Sequence, residues 1–115
     1  YNVVFVTTDV HFGTAFRYTP FPEDRDFFFH EFISGPLNAG VFPQLTLDAT
    51  FGPERIFIHG PTKEIADFKE AKTWFNFGVV EVSKEGKMKV RYVDANGRKV
   101  WEGEVSERQG QEEGG

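Results

Sequence analysis

Two short separators near the carboxyl end, Ser83-Lys84-Glu85-Gly86 and Asp94-Ala95-Asn96-Gly97, constrain the fold more than any other feature of the chain. Each suits a type I turn followed by a glycine in the left-handed conformation, the usual three-residue hairpin loop. The polar first residue accepts the turn's amide hydrogen bonds, and glycine takes the last position without a Cβ penalty. The β-prone runs on either side are residues 73–83, 87–94 and 98–106, so the pattern predicts a three-stranded antiparallel meander. In its middle run Met88, Val90 and Tyr92 share one face, while Lys87, Lys89 and Arg91 share the other. One face is therefore buried and one is wet. In the last run Trp101 and Val105 point inward, with Glu102 and Glu104 outward.

Upstream the chain is also β-prone. Residues 2–7 read as a buried strand, because the segment is dominated by Val and Phe with no polar alternation. Residues 13–18 are a further short strand. Residues 19–26 hold Pro20, Pro22 and a charged run and form a surface loop. The aromatic segment 27–34 is a strand that Gly35-Pro36 ends, since proline cannot donate to a ladder and restricts its predecessor. Glycines and prolines break residues 37–53, leaving room for a helical turn within 45–51. Residues 54–59 alternate around Ile56 and Ile58 as a short strand. Residues 62–72 carry helix formers but suit an irregular excursion equally.

At 115 residues the chain fits one domain. Its 14 Phe, 3 Tyr and 2 Trp are side chains that build a core and argue against disorder over most of the length. Residues 107–115, rich in Gln, Glu and Gly, have nothing to bury and are expected to form a disordered tail. Net charge is −5, and no basic cluster offers a nucleic-acid footprint. No apolar run reaches the roughly 20 residues of a membrane span. Without cysteine, any metal must be held by oxygen and nitrogen ligands. The chain opens at Tyr1 on a strand already under way, as a processed product or a fragment would.

The candidate chemistry lies where the first strand ends, at Asp9-Val10-His11. In an extended segment residues i and i+2 project to the same side, so the carboxylate and the imidazole can share one metal ion or serve two adjacent ones. The alternative is an Asp that accepts loop amide hydrogen bonds beside an ordinary polar His. Arg17 follows closely and is a candidate substrate phosphate contact; a solvated strand arginine is the competing reading. His30 and His59 lie in β-prone segments and read as structural histidines. The Ser34–Gly40 segment lacks Walker spacing and reads as a packed turn. No catalytic residue can be assigned from the sequence.

The run VVFVTTDVHFGTAFRY, followed by FHEFISGPLNAGVFP and the later Asn76-Phe77-Gly78, resembles the C-terminal part of alkaline phosphatase D-like metallophosphoesterases. The matching blocks are Asp9-Val10-His11, Glu31-Phe32, Ser34-Gly35-Pro36-Leu37, Ala39-Gly40 and Asn76-Phe77-Gly78, in family order. Thr8 departs from the family's pattern, in which glycine usually stands before the Asp. The resemblance implies an α/β class with residues 1–106 as the C-terminal portion of a four-layer α/β/β/α sandwich, this portion being mostly strand. It implies hydrolysis of phosphate mono- or diesters at a metal centre, with iron and calcium as metals and export from the cell. Asp9 and His11 would be its last metal-ligand block. The earlier blocks are absent, so the N-terminal part of the same enzyme, or a second copy, is the expected partner, and the isolated chain is expected to be inactive. A non-catalytic β-rich binding or structural domain is the alternative.

Overall fold

The computed structural model describes residues 3–44 and 47–106. Among them the elements in order are β1 (Val4–Thr7), β2 (Gly13–Tyr18), β3 (Phe29–Ile33), β4 (Pro53–His59), α1 (Phe68–Ala71), a 3-10 turn (Lys72–Trp74), β5 (Asn76–Val82), β6 (Met88–Asp94) and β7 (Lys99–Val105). The chain is mostly β: a mixed four-stranded sheet ordered β1-β3-β2-β4 and an antiparallel meander ordered β5-β6-β7.

The meander follows its turn chemistry. Gly86 N–H donates to the Ser83 carbonyl at 3.1 Å and Gly97 N–H to that of Asp94 at 3.0 Å. Both glycines are left-handed, at φ 83° and 79°. The Asp94 carboxylate also accepts the amides of Asn96 and Arg98. Val90 and Tyr92 are buried, and Lys89 on the opposite face is exposed.

The first sheet is less regular. β1 and β3 run parallel, with Phe5 opposite Glu31, and β2 is antiparallel to both β3 and β4. β3 therefore lies between β1 and β2, and the 8–12 loop must cross over the end of β3. Register partners share a face, so Phe32, Ala15 and Phe57 lie on one side of the sheet. That side meets the meander: Ala15, Phe32, Val90 and Tyr92 form one buried cluster, with Val4, Phe57, Met88, Val100, Trp101 and Val105 packed around it. The Tyr92 hydroxyl donates to the Thr14 carbonyl at 2.6 Å, tying the sheets together with its one polar atom.

Two expectations need correction, and the open reading of 62–72 is decided. The first strand forms but is not buried, with Phe5 50% and Val6 60% exposed, because the topology makes β1 an edge strand. Among the described residues nothing pairs with its outer side. In 47–51 a turn closed by Gly52 N–H on the Ala49 carbonyl replaces the helical turn, and Leu45 and Thr46 lie outside the described residues. Of 62–72 only Phe68–Ala71 is α-helical, with Asp67 as N-cap accepting from Lys69 N–H. The tail at 107–115 lies outside the described residues. Among those described, no helix is long and apolar enough to cross a membrane.

Candidate functional site

β1, β3 and β4 all point their carboxyl ends to the same edge of the first sheet, as the parallel β1–β3 pairing and the antiparallel β2 between β3 and β4 require. Three loops gather there: 8–12 after β1, 34–42 after β3 and 60–61 after β4. Parallel strands commonly place ligand-binding groups at this end.

Asp9 and His11 both sit in the first loop. The strand stops at Thr7, and both residues take left-handed backbone, at φ 86° and 69°. The extended geometry expected from the sequence is therefore absent; Asp and His are among the residue types that tolerate this conformation. The loop nevertheless brings the two side chains together, with His11 Nε2 3.9 Å from Asp9 Oδ1. The carboxylate is 93% exposed and the imidazole 27%.

Two contacts define the imidazole. His11 Nδ1 lies 2.7 Å from the Gly40 carbonyl oxygen. A carbonyl only accepts, so Nδ1 carries the proton and the neutral ring keeps its lone pair on Nε2. That atom is the one facing Asp9. The ring also stacks on Phe42, centroid to centroid 4.3 Å with planes 7° apart, and Phe42 N–H donates back to the His11 carbonyl. A histidine whose second nitrogen is held by a backbone carbonyl is the usual arrangement of a metal ligand.

The donor set fits part of a metal shell. With metal–ligand bonds of about 2.0–2.2 Å, two donors on one ion lie roughly 3.0–3.5 Å apart. The solvent-exposed Asp9 carboxylate has to swing in by less than about 1 Å to meet that spacing. The set is also incomplete: among the described residues no group of three or more His, Asp or Glu can hold an ion.

The second loop is fastened to the first. Thr8 Oγ1 donates to the Ser34 carbonyl at 3.0 Å, so the residue before Asp9 links the two loops. Beyond Gly40, an open cleft of about 340 Å³ lies between Val41 and the Ile65, Phe68 and Ala71 side chains.

Arg17 is not brought to this site. It lies near the opposite end of β2, paired with Glu54 at 3.1 Å and with its guanidinium 5.3 Å from the Phe28 ring centroid. His30 stacks on Phe32 and meets Phe28 edge-on, as a structural histidine does. Burial, aided by the Arg17 charge, holds it below the ordinary imidazole pKa. His59 packs on Trp74 at the end of β4; burial lowers its pKa too, against the opposing charge of Asp94.

Two features escaped sequence reasoning. Glu31, in the middle of β3, accepts from Thr7 Oγ1 at 2.9 Å and from the Tyr18 hydroxyl at 2.7 Å. Burial first, and then the Glu31 hydrogen bond and charge, push the Tyr18 phenol well above its ordinary value. Asn76 is 1% exposed beneath the second loop. Its sequence signals are a place in the Asn76-Phe77-Gly78 block and a strand-averse residue opening a β-prone run, neither of which shows what it bonds. Comparison of the chain with protein-family models, with curated proteins and with solved structures found no match.

Proposed function

We propose that the chain is the C-terminal portion of an alkaline phosphatase D-like metallophosphoesterase and supplies Asp9 and His11 to a metal centre that hydrolyses phosphate mono- or diesters. One observation carries this reading: His11, held by Gly40 and Phe42, directs Nε2, the lone-pair nitrogen of its neutral ring, toward the Asp9 carboxylate where three strand ends converge. In that centre Asp9 and His11 are ligands, and the Gly40 carbonyl fixes the His11 tautomer. Asp9 and His11 would hold metal ions, iron and calcium by resemblance, and the chemistry such ions would supply is polarisation of phosphoryl oxygens and activation of water. No role in this chemistry is assigned to Arg17, which Glu54 and Phe28 engage.

Under this reading residues 1–106 belong to a four-layer α/β/β/α sandwich, and the N-terminal part of the same enzyme or a second copy completes it. The apolar, half-exposed β1 at the sheet edge supports such a partner, since edge strands of this composition invite pairing. Two ligands also fall short of a catalytic shell. Export follows from the family resemblance alone.

The test is the metal content of the intact protein with and without an Asp9→Ala, His11→Ala double substitution. Loss of bound iron or calcium is expected. Unchanged metal content would overturn the reading in favour of a non-catalytic β-rich binding or structural domain. Enzyme-like turnover of a chromogenic phosphodiester by the 115-residue chain alone would show that the centre needs no partner.

A further inference from the structure

We infer that Asn76 is a positioning residue for the His11 imidazole, a role that rests on the metal-site reading of Asp9 and His11. Asn76 opens β5 and lies beneath both loops of the site, with every polar atom of its side chain engaged. Oδ1 accepts Gly35 N–H at 2.9 Å, and Nδ2 donates to the carbonyls of Gly35 and Trp74, each at 3.0 Å. This pattern fixes the carboxamide orientation, since a flipped group would set its oxygen against two carbonyl oxygens. The backbone adds a further link, Asn76 N–H to the Pro36 carbonyl at 3.0 Å. The side chain thus bonds both polar groups of Gly35, as a neighbouring strand would, and holds the start of the loop that ends at Gly40.

The same carboxamide reaches Gly13, the first residue of β2, directly after the other loop. A methyl group on Gly13 would lie 3.1 Å from Asn76 Oδ1 and 3.2 Å from Nδ2, so the glycine two residues beyond His11 leaves room for this side chain. Asn76 is therefore wedged between the segment that carries His11 and the segment that carries its carbonyl partner. Direct hydrogen bonds between those segments include Thr8 to Ser34, His11 to Gly40 and Phe42 to His11. Setting both loops on one buried group aligns the Gly40 oxygen with Nδ1 and thereby turns Nε2 toward Asp9. A strand-averse residue at 1% exposure is costly unless its hydrogen bonds are made. Here they are made to Gly35 at the start of the second loop and to the Trp74 carbonyl.

The test reads the His11 tautomer by nitrogen-detected NMR of the 115-residue chain, at about pH 8.5, where an ordinary imidazole is neutral. The wild type should show the Nδ1–H form. Asn76→Ala should lower the ratio of Nδ1–H to Nε2–H about tenfold, the shift expected when one hydrogen bond of ordinary strength is lost. Asn76→Asp keeps the acceptor for Gly35 but loses both donors, and Gly13→Ala crowds the carboxamide, together with the Tyr92 ring, from the other side; each should move the ratio the same way. Val90→Ala, in the buried cluster between the sheets, is the control: it should lower stability and leave the His11 tautomer alone. An unchanged His11 tautomer in the folded Asn76 and Gly13 variants would overturn the inference. So would a change matched by Val90→Ala at equal loss of stability. Cobalt(II) absorption of the intact protein separates this outcome from failure of the metal reading. A wild type with the Nδ1–H form that binds no cobalt through His11 refutes the metal site, whereas a cobalt-binding protein whose tautomer ignores Asn76 refutes the positioning role.

Discussion

Gly103 offers a quantitative test of how the two sheets pack. It lies in β7 opposite Val90, and the Trp101 indole from two residues earlier lies over it. A Cβ at Gly103 would overlap indole Cη2 and lie 2.7 Å from Cζ2, against the roughly 3.5–4.0 Å of ordinary carbon contact. The indole has little room to retreat. It stacks on Phe57 at 5.0 Å with planes 17° apart and meets Tyr92 nearly edge-on at 5.8 Å. Overpacking of this kind costs about 1–3 kcal/mol, and loosening the Phe57 stack adds about 0.5–1.5 kcal/mol. Replacing a mid-strand glycine returns about 0.5–1 kcal/mol. Gly103→Ala should therefore destabilise the chain by about 2 kcal/mol, which lowers the urea midpoint by about 1 M at the slopes usual for small domains. Near-ultraviolet circular dichroism should change with it, because the indole environment changes. Gly97→Ala is the comparison: nothing lies within 4 Å of its new Cβ, so only the left-handed backbone, φ 79°, is penalised, at about 1 kcal/mol. A Gly103→Ala chain as stable as wild type, with an unaltered aromatic spectrum, would refute the packing argument.

Two further predictions concern pH. Burial lowers the pKa of both His30 and His59 from 6.5, so the folded chain binds fewer protons than the unfolded chain below that value. Their contribution to stability is intact above pH 6.5 and lost as pH falls below it, and a His30→Phe, His59→Phe double variant should flatten that limb of the denaturation profile; an identical acid limb would count against the burial argument. At the alkaline end, the raised Tyr18 phenol loses stability for the fold as pH climbs above 10, the ordinary value. Glu31→Gln should bring the Tyr18 titration back toward that value, read by carbon NMR of the phenol, and an unmoved titration would show that Glu31 contributes nothing to the shift.

What the sequence reveals follows the range of each interaction. The meander is legible because its turns are local: Ser83-to-Gly86 and Asp94-to-Gly97 carry their own hydrogen bonds and φ requirements. Asp9 and His11 are legible as a pair for the same reason. Their geometry is not, because left-handed backbone at non-glycine residues leaves no mark in the letters, and the Gly40 and Phe42 partners come from a loop 29 residues away. The edge position of β1 is hidden too: its Val and Phe run suits a central strand, and only the insertion of β3 between β1 and β2 decides otherwise. Arg17 shows the reverse relation. Nearness in sequence to Asp9 and His11 suggested a shared site, whereas the direction of β2 carries the side chain away to Glu54.

The composition of β1 has a consequence for register. Val4, Phe5 and Val6 are apolar on both faces of the sheet, so their pattern does not resist sliding along β3. A slip of one residue would carry the following loop by about 3.3 Å, enough to part Asp9 and His11 from the 34–42 loop. Hydroxyls supply the missing discrimination. Thr7 bonds the Glu31 carboxylate and Thr8 bonds the Ser34 carbonyl, and a shifted alignment loses both. Two threonines at the end of an otherwise ambiguous strand act as a ratchet stop, and they decide where the carboxylate and imidazole stand.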